Sequence, residues 1–148
     1  MPFGLKSIWF QLITELAVIA WFLVRFRGKY ADGAFDGSEG LVELGTTVLS
    51  FMLVTVVAIV AVHILGLIVL AIAEGGTEPD TTTDERDRAI EAQGDRVSNT
   101  LGGLGFVAGM VLMTFGGSVP VVIATTFVAC LAGAVIGNLV KLRAYGEG

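Results

Sequence analysis

Apolar positions along the chain collect into four long stretches, residues 7–24, 47–73, 97–115 and 119–140, that polar groups barely interrupt. Between Leu41 and Ala73 the only ionisable side chains are Glu43 and His63, and between Leu101 and Val140 there are none. A span of ~18 or more apolar residues is a membrane-helix candidate, because ~20 residues rising 1.5 Å each cover the hydrocarbon core. The stretches are rich in Val and Ile. In lipid a spanning segment must satisfy its own backbone hydrogen bonds, and a helix does so whatever its β propensity. The pattern predicts an all-α, polytopic membrane protein with four transmembrane helices in one domain.

The polar intervals separate these spans. Residues 28–45, rich in glycine and carrying Asp32, Asp36, Glu39 and Glu43, read as a solvated loop. An EF-hand is excluded there, because Ala34 falls where a calcium ligand is required. Glu74-Gly75-Gly76 ends the second span, and residues 77–83 form a linker containing Pro79. Residues 84–96 read as a short amphipathic surface helix before the third span. Thr82 and Glu85 have capping-box spacing, Asp84 and Arg88 stand at i,i+4, and Gly94 offers a bend. Ile90, Val97, Leu101 and Leu104 share one stripe that leads into the third span. Gly116-Gly117-Ser118 predicts a tight turn, with Ser118 as N-cap and Pro120 in the first turn of the fourth helix. Spans three and four therefore form an antiparallel hairpin.

Composition agrees: 54% of the 148 residues are apolar and 16% charged, against about a quarter charged in a soluble domain. Mean hydropathy is +0.80. The net charge of −5 is local, since residues 74–96 hold eight acidic side chains against Arg86, Arg88 and Arg96. Nucleic acid is not an expected partner. Cys130 is the single cysteine, so the chain forms no internal disulfide, and in an apolar run it reads as a small buried hydrophobe. The first stretch exceeds a usual signal-peptide core. Arg25, Arg27 and Lys29 occupy the place of a cleavage site, so it is expected to be retained.

Trp9 and Trp21 lie near the ends of the first span, where amphipathic rings favour the interface. Basic residues set orientation. With the N-terminus inside, the inner face holds Lys6, Arg86, Arg88, Arg96, Lys141 and Arg143, and the outer face holds Arg25, Arg27 and Lys29. The balance puts both termini in the cytoplasm, although Arg25 and Arg27 directly abut the first span.

Helices in lipid associate through close contact and hydrogen bonds, and small residues let backbones approach. Gly105 and Gly109 lie at GxxxG spacing in the third span. Thr125, Ala129, Gly133 and Gly137 repeat every fourth residue in the fourth. Such stripes seal the hairpin within one chain or form the interface of a homo-oligomer.

An ionisable group inside a membrane costs ~2.5–3.5 kcal/mol on insertion scales and marks a candidate site. Glu15, with Gln11 one turn below, lies near the middle of the first span. His63 lies slightly past the middle of the second, with Thr55, Ile59 and Gly66 on its face. In antiparallel helices both fall at similar depth, which predicts that Glu15 and His63 face the bundle interior and approach each other, as a structural contact or on a proton-linked path. Haem ligation by His63 would leave the other axial position without a candidate. Asn138 reads as an interfacial cap. No metal site, cofactor motif, P-loop or nucleophile elbow is present, so a non-enzymatic role is expected.

The run Asp84-Glu85-Arg86-Asp87-Arg88-Ala89-Ile90-Glu91 resembles the signature of a family of small bacterial membrane proteins of unknown function. These have four spans and an Asp-Glu-Arg-Asp/Glu-Arg-x-Ile-Glu segment before the third. Lys6-Ser7-x-Trp9 before the first span, the histidine and glycine of the second and the basic end after the fourth agree with it. The chain departs from the family at Ser98-Asn99, where aromatics are usual. The resemblance implies the same architecture in a bacterial cytoplasmic membrane and supplies no activity. Asp84, Glu85, Arg86, Asp87, Arg88, Glu91 and Arg96 are the expected interaction surface, toward lipid headgroups or a partner in a larger membrane complex.

Overall fold

A computed structural model describes residues 3–73 and 84–147. It holds four helices, α1 (Phe3–Ala31), α2 (Gly37–Ala73), α3 (Glu85–Thr114) and α4 (Val119–Gly146), and no strand among the described residues. Each helix is long and apolar enough to cross a bilayer, as the hydropathy pattern predicts.

The helices form a layer rather than a closed bundle. α3 packs along α4, α4 against α1, and α1 against α2, so the order across the layer is α3, α4, α1, α2. The α3–α4 contact is the most extensive, and the small-residue stripes explain why. A Cβ on Gly105 would meet Ala129, one on Gly109 would meet Thr126, and one on Gly137 would meet Ser98 and the backbone of Gly94. A Cβ on Gly133 would lie 3.0 Å from the carbonyl oxygen of Ser98. The five predicted packing residues Gly105, Gly109, Ala129, Gly133 and Gly137 are thus all engaged within the hairpin of one chain.

Both helix-ending turns use the same device. Gly116, at φ +80°, follows α3, and the Gly117 N–H bonds the Leu112 carbonyl at 2.9 Å while Gly116 N–H bonds Met113 at 3.1 Å. Gly33, at φ +70°, follows α1, with Ala34 N–H on Lys29 at 3.0 Å and Gly33 N–H on Tyr30 at 3.2 Å. These paired bonds form the Schellman motif, which glycine enters without Cβ strain. Ser118 is the N-cap of α4, but its side chain makes no capping bond; proline sits in the first turn, as expected.

Three boundaries differ from the sequence expectation. The predicted loop 28–45 contracts to the five residues between α1 and α2. Tertiary contact outweighs glycine's low helix propensity here. Phe35 and Leu44 are buried in an aromatic core with Phe22, Phe26 and Phe51, and Lys29 of α1 pairs with Glu43 and donates to Thr47 Oγ1 at 2.9 Å on α2. The charged segment 84–96 is not a separate surface helix. It is the first part of α3, and Gly94 makes no break. Gly94 is instead a contact point, since a Cβ there would meet the Lys141 side chain and the Gly137 carbonyl. The N-cap is Asp84, whose carboxylate accepts the Asp87 N–H at 2.7 Å; Thr82 lies outside the described residues. Finally, α4 continues beyond Val140 to Gly146.

The aromatic core lies at the end of the layer that holds the α1–α2 turn. Phe22, fully buried, meets Phe51 of α2 edge-on at 4.7 Å and Phe127 of α4 at 4.8 Å. Three helices converge there. Cys130, expected to be buried, is exposed on α4, a position whose apolar surroundings would come from lipid.

The close approach carries a test. Gly105→Leu and Gly137→Leu should each destabilise the protein by about 1–3 kcal/mol, because the Ala129 Cβ and the Gly94 carbonyl in their way cannot turn aside. Gly103→Leu, with nothing within 4 Å of its added Cβ, should leave the melting temperature in detergent unchanged.

Candidate functional site

On α1 the positions Ile8, Leu12, Glu15, Phe22 and Phe26 fall on one side at helical spacing, and all but Glu15 are buried. That side faces α4. There the Asn138 amide, 5% exposed, donates to both Glu15 carboxylate oxygens at 3.0 Å. Lys141, one turn along α4, lies within electrostatic reach of the same carboxylate. Its ammonium pairs with Asp95 of α3 at 2.7 Å. Glu15, Asn138, Lys141 and Asp95 therefore run as a polar line across α1, α4 and α3. Hydrogen bonds to an ionised acceptor are shorter and about twice as strong as neutral ones. The line joins the α3–α4 hairpin to α1.

This arrangement corrects the expected approach of Glu15 to His63. His63 is exposed on α2 and makes no hydrogen bond among the described residues. Two of its neighbours on the predicted face are engaged elsewhere. Thr55 donates to the Phe51 carbonyl at 2.7 Å, and Gly66 is buried against the Phe10 ring at 3.3 Å from a would-be Cβ. Gln11 is half-buried one turn from Glu15. Among the described residues no hydrogen-bonded path links the two ionisable groups.

Asn138, expected as an interfacial cap, is instead the buried hydrogen-bond partner of Glu15. The apolar runs of α1 and α4 are staggered rather than centred on one plane. Glu15 is at the middle of its run, whereas Asn138 is near the end of its own. The Phe22–Phe127 contact shows the same offset in smaller measure. The displacement is four to eight residues, roughly 6–13 Å at 1.5 Å per residue. The available signal was chemical: Asn138 is the one amide side chain within the fourth span, and a polar group there requires a partner.

The charged end is organised by the same hairpin. Asp84, Asp87, Glu91 and Asp95 recur at helical spacing on the side of α3 facing the tail of α4. The Tyr145 hydroxyl meets Asp87 there, with Glu91 and Asp84 close by. Arg86 reaches the Ala144 carbonyl at 3.5 Å, a long contact, and Arg143 pairs with Glu147 at 2.6 Å. Asp84 caps the helix rather than pairing with Arg88. Glu85, Arg86, Arg88, Glu91 and Arg96 are exposed, and Asp87 is half-buried.

At the opposite end, Asp36, Glu39 and Glu43 line a shallow open cavity with Gly33 and Gly40. No group of three or more His, Cys, Asp or Glu able to hold a metal occurs among the described residues.

Fold and charge distribution together define a multi-pass α-helical membrane protein. Comparison with protein-family models, curated proteins and solved structures finds no match to the chain.

The Glu15–Asn138 pair is measurable by a double-mutant cycle. Asn138→Leu should destabilise the folded protein, because it leaves the carboxylate without its donor. Combining it with Glu15→Leu should recover part of that loss, giving a coupling of about 0.6–2 kcal/mol in unfolding experiments in mild detergent.

Proposed function

We propose that the chain is a non-enzymatic membrane subunit that holds a partner protein at the membrane through the charged end of the α3–α4 hairpin. The observation that carries this reading is the continuity of residues 85–96 with α3. A charge run on a separate surface helix would serve headgroup binding as readily. Here it is braced by Lys141–Asp95 and by the close approach of Gly94 to α4. Glu85, Arg88, Glu91 and Arg96 are left exposed on a fixed frame. Preorganised charges suit recognition of a complementary surface, since ordering costs are already met.

The proton-linked carrier reading needs Glu15 and His63 on one path, and the geometry favours it less: Glu15 is bonded to Asn138, and His63 is exposed. A haem reading has a single histidine to rest on.

The charged end belongs to the cytoplasm in this proposal, with both termini there, in a bacterial inner membrane. The excess of basic residues on that side supports it. The resemblance of the charged segment to a bacterial four-span family points the same way. Single cysteines placed at Glu85 and at Ser38 in a Cys130→Ala background should divide by side. The first should be protected from a membrane-impermeant thiol reagent in intact cells, and the second labelled.

Affinity purification from native membranes tests the partner. The wild-type chain should retain a specific protein that is lost, by tenfold or more, when Glu85, Arg88, Glu91 and Arg96 are replaced together by Gln. Asp84 is left intact in that variant, because removing the cap would cost about 1 kcal/mol on its own. An unchanged set of co-purifying proteins with an unchanged melting temperature would refute the proposal.

A further inference from the structure

The two halves of the layer carry their apolar belts at different levels. Paired contacts fix which residues stand side by side. Phe10 lies against Gly66 and Trp21 against Phe51, Glu15 bonds Asn138, and Gly94 meets Lys141. Followed across the layer, these pairs put His63 of α2 level with Lys141 and Asp95, and residues 64–73 level with residues 85–94 of α3. At that level α3 bears Glu85, Arg86, Asp87, Arg88 and Glu91, whereas α2 has no polar side chain. The far end shows the reverse. α1 turns basic at Arg25 and Arg27, level with the exposed Thr46 and Ser50 of α2, while α3 beside them carries no charge through Phe115. The belt of α1 is offset from that of the hairpin by about six residues at each end, roughly 9 Å.

Lipid is the occupant that the surface of α2 fits. Leu53, Val56, Val57 and Val60 are exposed along its span, and Ile64, Leu65, Ile68, Val69 and Ile72 continue that surface past His63. A bilayer boundary crossing α2 at the level of Asp95 would leave the last five in water. Side chains of this kind gain most from leaving water, and together they outweigh the single imidazole of His63. A boundary that instead slopes across the layer keeps them in lipid and keeps the charges of α3 in water. Neighbouring helices lie about 8–10 Å apart, and the α1–α2 and α3–α4 pairs are two such steps from each other. An offset of ~10 Å over that distance is a tilt of about 30°, inside the range of about 0–40° that spanning helices adopt.

We propose that the layer sits obliquely in the bilayer, with residues 64–73 of α2 inside the hydrocarbon core and residues 85–94 of α3, level with them, outside it. The inference does not rest on the partner reading, since it holds in a bilayer free of other proteins.

The test uses the full chain, purified into phosphatidylethanolamine–phosphatidylglycerol liposomes. In a Cys130→Ala background, nitroxide labels go on single cysteines at two level pairs, Val69 with Ala89 and Gly28 with Val111. All four positions are exposed. A water-soluble nickel chelate present on both sides of the bilayer should lose access to Val69 and keep it at Ala89. Oxygen, which concentrates in lipid, should show the opposite order. At the far end the chelate should reach Gly28 and lose access to Val111. Chelate access at both Val69 and Ala89 would mean a level seat, with the end of α2 left in water for a protein to cover, and would overturn the proposal. Exclusion of the chelate from both Val69 and Ala89, or equal access at Gly28 and Val111, would overturn it as well.

Discussion

Burying leucine gains little in a bilayer, because lipid tails surround it as well as protein does. What remains to hold helices together is the distance to which their backbones can approach and the few hydrogen bonds they can share. In this chain that constraint is met most fully between α3 and α4. Gly105 opposite Ala129, Gly109 opposite Thr126 and Gly137 opposite Ser98 bring the two helices to backbone contact along their length. The contact does not stop where the charges begin. Gly94 meets Lys141 and Gly137 in the same register, so the hairpin carries its own packing into the polar segment.

Other contacts are laid onto that hairpin in turn. α1 joins it at two places of different character. At one end the rings of Phe22 and Phe127 pack at 4.8 Å, and at the other Asn138 grips the Glu15 carboxylate. Aromatic packing tolerates small slides, whereas a two-oxygen hydrogen bond does not. The polar contact therefore sets the register of α1 against the hairpin, and with it the stagger between their apolar runs. α2 then rests mainly on α1, tied by Trp21–Phe51 at 4.3 Å and by Lys29 with Glu43, and meets α4 at the aromatic core. The α3–α4 contact is by far the most extensive of the three.

Much of this was legible in the residues. Hydropathy located four spans, and small-residue spacing located the seam of the hairpin, because both depend on local composition and on the helical period. Gly116 and Pro120 marked the turn between α3 and α4 for equally local reasons. What failed was long-range. The glycines of residues 28–45 reported low helix propensity but could not report that Phe35 and Leu44 would bury against Phe26. The similar depth of Glu15 and His63 agrees with the Phe10–Gly66 and Trp21–Phe51 contacts, but depth could not report that His63 lies on an exposed face of α2. The fourth helix likewise runs past Val140, where the Lys141 stem packs on Gly94 and its charge is taken by Asp95.

The distribution of polar groups argues about function more firmly than any single residue. A conduction path needs successive groups within hydrogen-bond reach through the membrane. Here the intramembrane carboxylate is joined to Asn138, and from there the polar line leads sideways through Lys141 to Asp95, toward the charged end rather than through the membrane. Glu15 thus belongs electrostatically to the same end as the exposed charges of α3. A pull on that end by a bound protein would act on Asp95 and Lys141, then on Asn138, and so on the register of α1. Under the proposed function, the Glu15–Asn138 contact lies where occupancy of the charged surface would be felt by the rest of the layer, a use that requires neither a pore nor an active site.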